Sequence, residues 1–563
     1  MKVKNRSVNM KILLRQPILI VTILVIFAFL FIFVWLPMFR VIRMCFVDAN
    51  GVHSLDGFKE VFSRSSTYLK SFANSMKLGG IVCILSTGLG FVFAFALTRT
   101  EMPFKRFFRF IAILPMVTPP YTLCLAIIFL FGRSGAVTEL LQIKNFSVYG
   151  IHSLIAVQAI TLYPIAYLTL TGILESIDDS VEDAAFSMGA TRGHIFRTVT
   201  LPLALPGIAS ALLITFVQSI EDFANPSVIG GKFSTLAVDA YLRVTSMFDT
   251  QGGAILALGM LLPALTAFVI RKYWLGKKSF ITVTGKPTQK RRKIHEKHIV
   301  VPLTIFCSLI SILLIALYGT VIVGAFMRTW GADSSFTMEH FAYVFTVGWS
   351  SISNSIKLAT IAAPFAGIMG MIIAYLVVRQ KFYGRKLVDF SSMMMFAIPG
   401  TVIGIGYVYT FNSPPLLLTG TALILIMAFA FRSMTIGIES GTSTLMQIDP
   451  CIEEASTILG ASTGVTFRKI TLPLLRQPFF SGLSYSFLRS ITAVSMVVFL
   501  VSPKWSLATS RLFSLFETSQ YSTAAAYILV LMMVIAIAMA LISALVNFLF
   551  MPKYMRQGKR KKA

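Results

Sequence analysis

Twelve apolar runs dominate this chain, and each is long enough to cross a bilayer. A transmembrane helix needs about 20 predominantly apolar residues to span the hydrocarbon core. Such runs fall near 17–39, 72–98, 108–132, 150–173, 203–224, 252–275, 299–326, 354–378, 388–411, 416–440, 479–501 and 523–551. Of 563 residues, 56% are hydrophobic and only 13% are charged, too little polar surface for a soluble chain of this length. The expectation is an all-α integral membrane protein with twelve transmembrane helices. The first run follows the basic stretch MKVKNRSVNMKILLRQ. It is longer than a signal-peptide core and no small-residue cleavage pattern follows, so it reads as a retained helix.

A net charge of +27 raises nucleic acid as a partner, but its distribution argues for a membrane instead. Five Lys/Arg lie in residues 1–16, ten between Arg271 and Lys297, and six between Lys553 and Lys562. Smaller clusters follow the second run (Arg99, Lys105, Arg106, Arg109) and the eighth (Arg379, Lys381, Arg385, Lys386). With twelve crossings all of these fall on one side, the positive-inside pattern, which places both termini in the cytoplasm. The basic tails are expected to touch anionic lipid head groups, and no nucleic-acid partner is expected. Cys45, Cys83, Cys124, Cys307 and Cys451 form no CxxC pair and mostly sit in apolar runs, as small core residues do. HEKH at 295–298 lacks the HExxH spacing of a zinc helix and lies in a basic run, so it reads as solvated linker.

The chain repeats itself. NSMKL at Asn74–Leu78 matches NSIKL at Asn354–Leu358, and AFALTR ending at Arg99 matches AYLVVR ending at Arg379. KFSTLA at Lys232–Ala237 resembles KWSLA at Lys504–Ala508, and FDT at 248–250 mirrors FET at 516–518. The reading is two six-helix halves, 1–276 and 299–563, joined by a basic cytoplasmic linker at 277–298. An even number of crossings returns the chain to its starting side, so the halves are parallel and related by an axis along the membrane normal. A central pathway between them follows naturally.

The clearest repeat is polar. EDAAFSMGATRGHIFRTVTLP (Glu182–Pro202) aligns without a gap with EEASTILGASTGVTFRKITLP (Glu453–Pro473), 271 residues on. In the first copy Asp179 or Ser180 can cap a helix, and Ser180 with Asp183 has capping-box spacing. In the second, Asp449 can cap and Pro450 suits the first helical position. Gly189 and Gly460 can end the two helices, short second helices follow from Thr191 or Ser462, and Leu-Pro closes each unit. Glu182, Ala185 and Gly189 share one helix face, whose small residues leave room for another protein. An ordinary cytoplasmic connector explains one such copy but not two with the same Gly and Leu-Pro spacing.

This pattern resembles the EAA loop of ABC-importer permeases. Asp183, Ala184, Ala185, Gly189, Val199, Leu201 and Pro202 match it in the first half, and Glu454, Ala455, Ser456, Gly460, Ile470, Leu472 and Pro473 in the second. Asp for Glu and Ser for Ala are the departures. The resemblance covers nearly the whole chain and implies a type I importer permease of the bacterial inner membrane. It implies that Glu182, Asp183, Ala184, Ala185 and Gly189, with Glu453, Glu454, Ala455, Ser456 and Gly460, meet two copies of a cytoplasmic ATPase. It also implies an extracytoplasmic solute-binding protein as partner. With EDFANPSVIGG at Glu221–Gly231, the fused double permease is most similar to ferric-iron importers. Related fused permeases serve thiamine, aminoethylphosphonate and other small solutes.

The chain carries no GxxxxGK[ST], and GGK at 230–232 continues with Phe, so no phosphate loop is present. ATP and Mg are therefore expected on the partner ATPase, with no cofactor and no catalytic residue here. Pro115, Pro119, Pro120 and Pro399–Gly400 interrupt apolar runs. Broken helices are tolerated where they line a cavity or pack inside protein, and either role fits. Glu221 and Asp222 lie near the outer end of the fifth run. In the second half, Thr492 and Ala493 align with them, and Arg489 with Gln218. Charges within the membrane usually face an interior or a partner. The acids could pair with Arg489 across the axis, serve a hard cation, or sit at the interface in water. An ion-gradient-driven secondary transporter is the rival class, since twelve helices in a parallel repeat fit both; the doubled loop favours the ATP-driven importer.

Overall fold

The computed structural model describes residues 17–47, 51–63, 67–142, 147–275, 293–449, 451–461 and 463–550. The basic tails at 1–16 and 552–563, most of the 277–298 linker, Pro450 and Ser462 lie outside the described residues. The all-α membrane class holds. Beside helices, the described residues carry one antiparallel hairpin, Met327–Thr329 with Asp333–Phe336, and two isolated bridges.

Ten helices are long and apolar enough to cross a membrane, and an eleventh span is a helix pair bent by 111°. Three of the twelve expected runs are thus not single rods, and proline accounts for much of the difference. The third breaks between Lys105–Val117 and Thr122–Phe131, where Pro119 and Pro120 supply no N–H and Tyr121 is left-handed at φ 71°. Thr122–Leu140 alone keeps enough length to span. The ninth splits into Arg385–Ala397 and Gly400–Phe411 at Pro399. The eleventh, expected over 479–501, is the 16-residue helix Arg476–Ile491, cut short at its C-terminal end. Pro478 cannot donate to Leu474, and the helix breaks at Leu475.

The sequence repeats meet in space, which explains why they recur together. In the first half Asn74 Nδ2 donates to the Ser234 carbonyl at 3.0 Å, and Ser75 Oγ accepts from Leu236 N at 2.9 Å. In the second, Asn354 Nδ2 donates to the Ser506 carbonyl at 3.2 Å, and Ser355 Oγ accepts from Ala508 N at 2.8 Å. Each Asn-Ser pair therefore pins an irregular segment whose backbone groups would otherwise lack partners in an apolar setting. Close helix approach repeats as well. A side chain on Gly90 would strike Ala166 and Tyr167, and one on Gly370 would meet Met434, Gly437 and Ile438. Small residues at such crossings let membrane helices touch backbone to backbone.

The halves also interlock. Helix Pro17–Met44 packs on the second half, where Tyr407 donates to the Phe33 carbonyl at 2.9 Å and Trp35 Nε1 to Ser391 Oγ at 2.8 Å. The second half's opening helix, Lys297–Phe326, returns the exchange. Its Tyr318 hydroxyl lies 3.1 Å from Thr118 Oγ1, and a side chain on Gly324 would strike Phe129. Just beyond it, Trp330 stacks on Phe129 at 4.4 Å and donates to its carbonyl.

Candidate functional site

The two polar repeats form matching helix–turn–helix units. The first helix, Asp179–Ser187, is capped by Asp178, whose Oδ1 accepts from Ser180 N at 2.9 Å. The cap thus lies at Asp178, one residue before Asp179 and two before Ser180, because both of those are already helical and Asp178 keeps the extended backbone a cap requires. In the second unit Asp449 caps Cys451–Ile458 as expected, accepting from Cys451 N at 2.9 Å. These backbone donors hold both exposed carboxyls below their ordinary range, so the caps stay charged at neutral pH. Gly189 (φ 87°) and Gly460 (φ 84°) end the helices in the left-handed region. Ala190 N then reaches back to the Ala185 carbonyl, and Ala461 N to that of Ser456, each at 3.1 Å, as a glycine stop requires. Short helices Arg192–Ile195 and Thr463–Thr466 follow.

Leu201–Pro202 does not close the first unit. Arg192–Ile220 runs on as one membrane-length rod. A wide turn at Phe196–Thr200 precedes the proline, absorbing the hydrogen bond that Pro202 cannot make.

The face presented to water carries large apolar tips beside the small residues. Met188, Ile458 and Leu459 are 82%, 86% and 88% exposed, and Ala184, Gly189, Glu454, Ala455 and Gly460 are exposed around them. Asp183 and Ala185 are half-buried, and Glu453 contributes its backbone to the second helix. Glu182 faces the protein. It pairs with buried Arg99 at 3.1 Å and accepts from Thr200 Oγ1 at 2.8 Å, so it ties the loop to helix Thr67–Arg99. Ser456 is likewise internal, its hydroxyl 2.9 Å from Thr466 Oγ1. Where the pattern has Ala, this serine is satisfied within its own unit.

Between the halves lies a cavity of about 190 Å³. The broken segment Pro115–Leu123, the end of Leu201–Ile220 with Glu221 and Asp222, helix Ala422–Gln447, and residues 489–496 wall it. The structure places Glu221, Asp222, Arg489 and Thr492 there together, but their pairing differs from expectation. Glu221 pairs with Arg432, not Arg489, at 2.9 Å, and the two side chains are 5% and 15% exposed. This ion pair joins the first half to the second. Gly400 makes room for it, since a side chain there would strike the Arg432 guanidinium. Asp222 is held by amides of its own half, accepting from Gln158 Nε2 at 2.8 Å and Asn225 Nδ2 at 2.6 Å. Gln158 in turn accepts from Ser219 at 2.5 Å. Thr492 donates to the Leu488 carbonyl at 2.9 Å. Arg489 is half-buried on the cavity wall.

Arg432, Gln158 and Asn225 escape the sequence reading. Arg432 had a usable signal, a lone cation in the apolar first half of a 26-residue helix. The two amides are uncharged and give no such signal. Among the described residues no group of three or more His, Cys, Asp or Glu could hold a metal ion.

Comparison with known proteins assigns the family. The model of binding-protein-dependent transport system inner membrane components matches residues 86–278 and again 366–551. The chain is 34% identical to the ferric transport system permease protein FbpB of Actinobacillus pleuropneumoniae, over 83% of this chain and 70% of that one. It is 33% identical to FbpB 1 of Haemophilus influenzae, also named for ferric transport, over 88% and 80%. The molybdenum transport system permease protein ModB of Escherichia coli is 27% identical over 36% of this chain and 92% of its own length. With two family matches, one per half, and these relatives along most of its length, the chain belongs to the binding-protein-dependent transport system inner membrane components, the permeases of ABC importers.

Proposed function

We propose that this permease carries ferric iron inward, driven by two copies of a separate cytoplasmic ATPase docked on its two polar loops. As an ABC-importer permease it is a multi-pass inner-membrane transport subunit, and such permeases work with an ATPase and a substrate-binding protein. The observation that carries the cargo is the resemblance to ferric-transport permeases over more than four-fifths of the chain. In this reading Asp183, Ala184, Ala185 and Gly189, with Glu454, Ala455 and Gly460, form the ATPase contact, and Glu182, Ser456 and the backbone at Glu453 support it. ATP and Mg bind only the ATPase, and the solute-binding protein delivers cargo from outside. Glu221, Asp222, Arg489 and Thr492 then line the path, together with Arg432.

Uptake of radiolabelled iron by a strain that depends on this system tests the cargo. Deleting the permease is expected to abolish uptake and restoring it to rescue, with thiamine and aminoethylphosphonate uptake unchanged. If a phosphonate or thiamine is the solute lost, the iron assignment is wrong.

Both termini and the linker are cytoplasmic in this reading. Cysteines introduced within 1–16, 277–298 or 552–563 should resist an impermeant thiol reagent added to intact cells. Cys451, exposed on the second loop while the other four cysteines are buried, is a native reporter for the same face. It should label only in inverted vesicles, and slowly, because Asp449 beside it raises its thiol pKa. Labelling of the linker from outside would remove the parallel arrangement of the halves.

A further inference from the structure

The charges on the cavity wall bear on the form in which cargo crosses. Two acids and two arginines line it. Glu221 is committed to Arg432 and Asp222 to Gln158 and Asn225. Arg489 makes no hydrogen bond or ion pair among the described residues, although it lines the cavity and is only half-buried.

This wall suits a bare trivalent cation poorly. Hard cations take several oxygen ligands, chiefly carboxylates, carbonyls and water, in place of the hydration they lose. Here both carboxylates already have partners, and no acidic or histidine cluster replaces them among the described residues. An open guanidinium on the same wall adds repulsion. It is, however, a strong receptor for an anion, with N–H donors in a planar fork that matches carboxylates and other oxyanions. Its place in the last turn of helix Arg476–Ile491 lets the helix's negative end stabilise the cation until an anion arrives. The nearby hydroxyls do not compete as donors, since Ser490 donates to the Ser486 carbonyl and Thr492 to that of Leu488.

We infer that Arg489 forms an anion site in the translocation cavity, taking a small oxyanion or carboxylate, and that metal cargo crosses with its anionic ligand still attached. The anion site rests on the cavity alone; its link to iron rests on the cargo proposed above.

Permease–ATPase complexes in proteoliposomes, with the solute-binding protein loaded with radiolabelled iron and labelled phosphate, citrate or carbonate, test this. One of the three anions should enter with iron. Arg489→Gln should lower entry of both by about tenfold or more, the worth of one charge-assisted hydrogen-bonded contact. Co-purification with the ATPase reports assembly. If the glutamine variant does not assemble, Arg489→Lys, which keeps the charge without the fork, should still reduce entry severalfold. Iron entry without any of the three anions, or undiminished in these variants, overturns the inference. Failure of iron to enter the wild-type vesicles, with molybdate entering in an Arg489-dependent way, would discard the iron cargo and keep the anion site. Entry of neither would discard both.

Discussion

Tryptophan at both Gly189 and Gly460 is expected to separate this permease from its ATPase while leaving its membrane fold in place. Both glycines are left-handed, at φ 87° and 84°, and a Cβ added at either faces open space, with no non-neighbouring atom within 4 Å. Two sources of damage are expected. The first is backbone strain of about 1–2 kcal/mol at each turn. The second is the obstruction of whatever approaches the exposed tips Met188, Ile458 and Leu459. Asparagine tolerates the left-handed conformation, so Gly189→Asn with Gly460→Asn isolates the second source and should keep most coupling. If each blocked loop loses roughly 2 kcal/mol, as a hot-spot contact does, the pair loses roughly a thousandfold in affinity. Co-purification and receptor-stimulated ATP hydrolysis read this directly, and the ATPase should shield Cys451 from thiol reagents in inverted vesicles unless both tryptophans are present. Full stimulation in the double tryptophan variant would mean that the ATPase docks elsewhere.

The loops were legible because their constraints are local. A capping aspartate, a glycine stop and a Leu-Pro pair at fixed spacing declare a unit whatever surrounds it. Even there the register slipped by one, to Asp178, since neighbouring aspartates look alike until the backbone shows which is extended. Glu182 illustrates a deeper limit. Helical spacing put it on a face with Ala185 and Gly189, but did not say that Arg99 stands behind it. The repeats NSMKL and NSIKL announced a common role without revealing it, because Asn74 and Ser234 are far apart in the chain. The exchange of opening helices was invisible for the same reason, as nothing in the run around Phe33 names Tyr407 as its partner.

The cavity was the hardest part to read. Aligning the halves pairs equivalent positions, whereas contacts across the axis join non-equivalent ones. The alignment set Arg489 against Gln218, and that correspondence made Arg489 the obvious counter-charge for Glu221. The actual partner, Arg432, comes from another helix and aligns with Thr161, another wall residue of the same cavity. At this pair the halves therefore differ, and each supplies one member of the central ion pair.

That pair yields the second large effect. Glu221→Gln should lower iron uptake far more than the loss of one surface charge would, because it strands Arg432 in a wall where it is 15% exposed. Removing one partner of a buried pair costs about 3–5 kcal/mol, much of it from the charge left behind. Arg432→Gln should be comparably harmful for the mirrored reason. The double variant, with neither charge, should recover much of the loss, and a double-mutant cycle should give a coupling of about 1.5 kcal/mol or more. Adding Asp222→Asn to Glu221→Gln should depress uptake further, because an amide cannot accept as well from the Gln158 and Asn225 amides that hold Asp222. Since the pair links the end of Leu201–Ile220 in one half to the body of Ala422–Gln447 in the other, any widening of the cavity between them has to stretch it. Loss of the link should therefore also raise ATP hydrolysis in the absence of the loaded receptor. Uptake and basal hydrolysis at wild-type levels in Glu221→Gln, with coupling near zero, would show that the pair merely fills space between the halves.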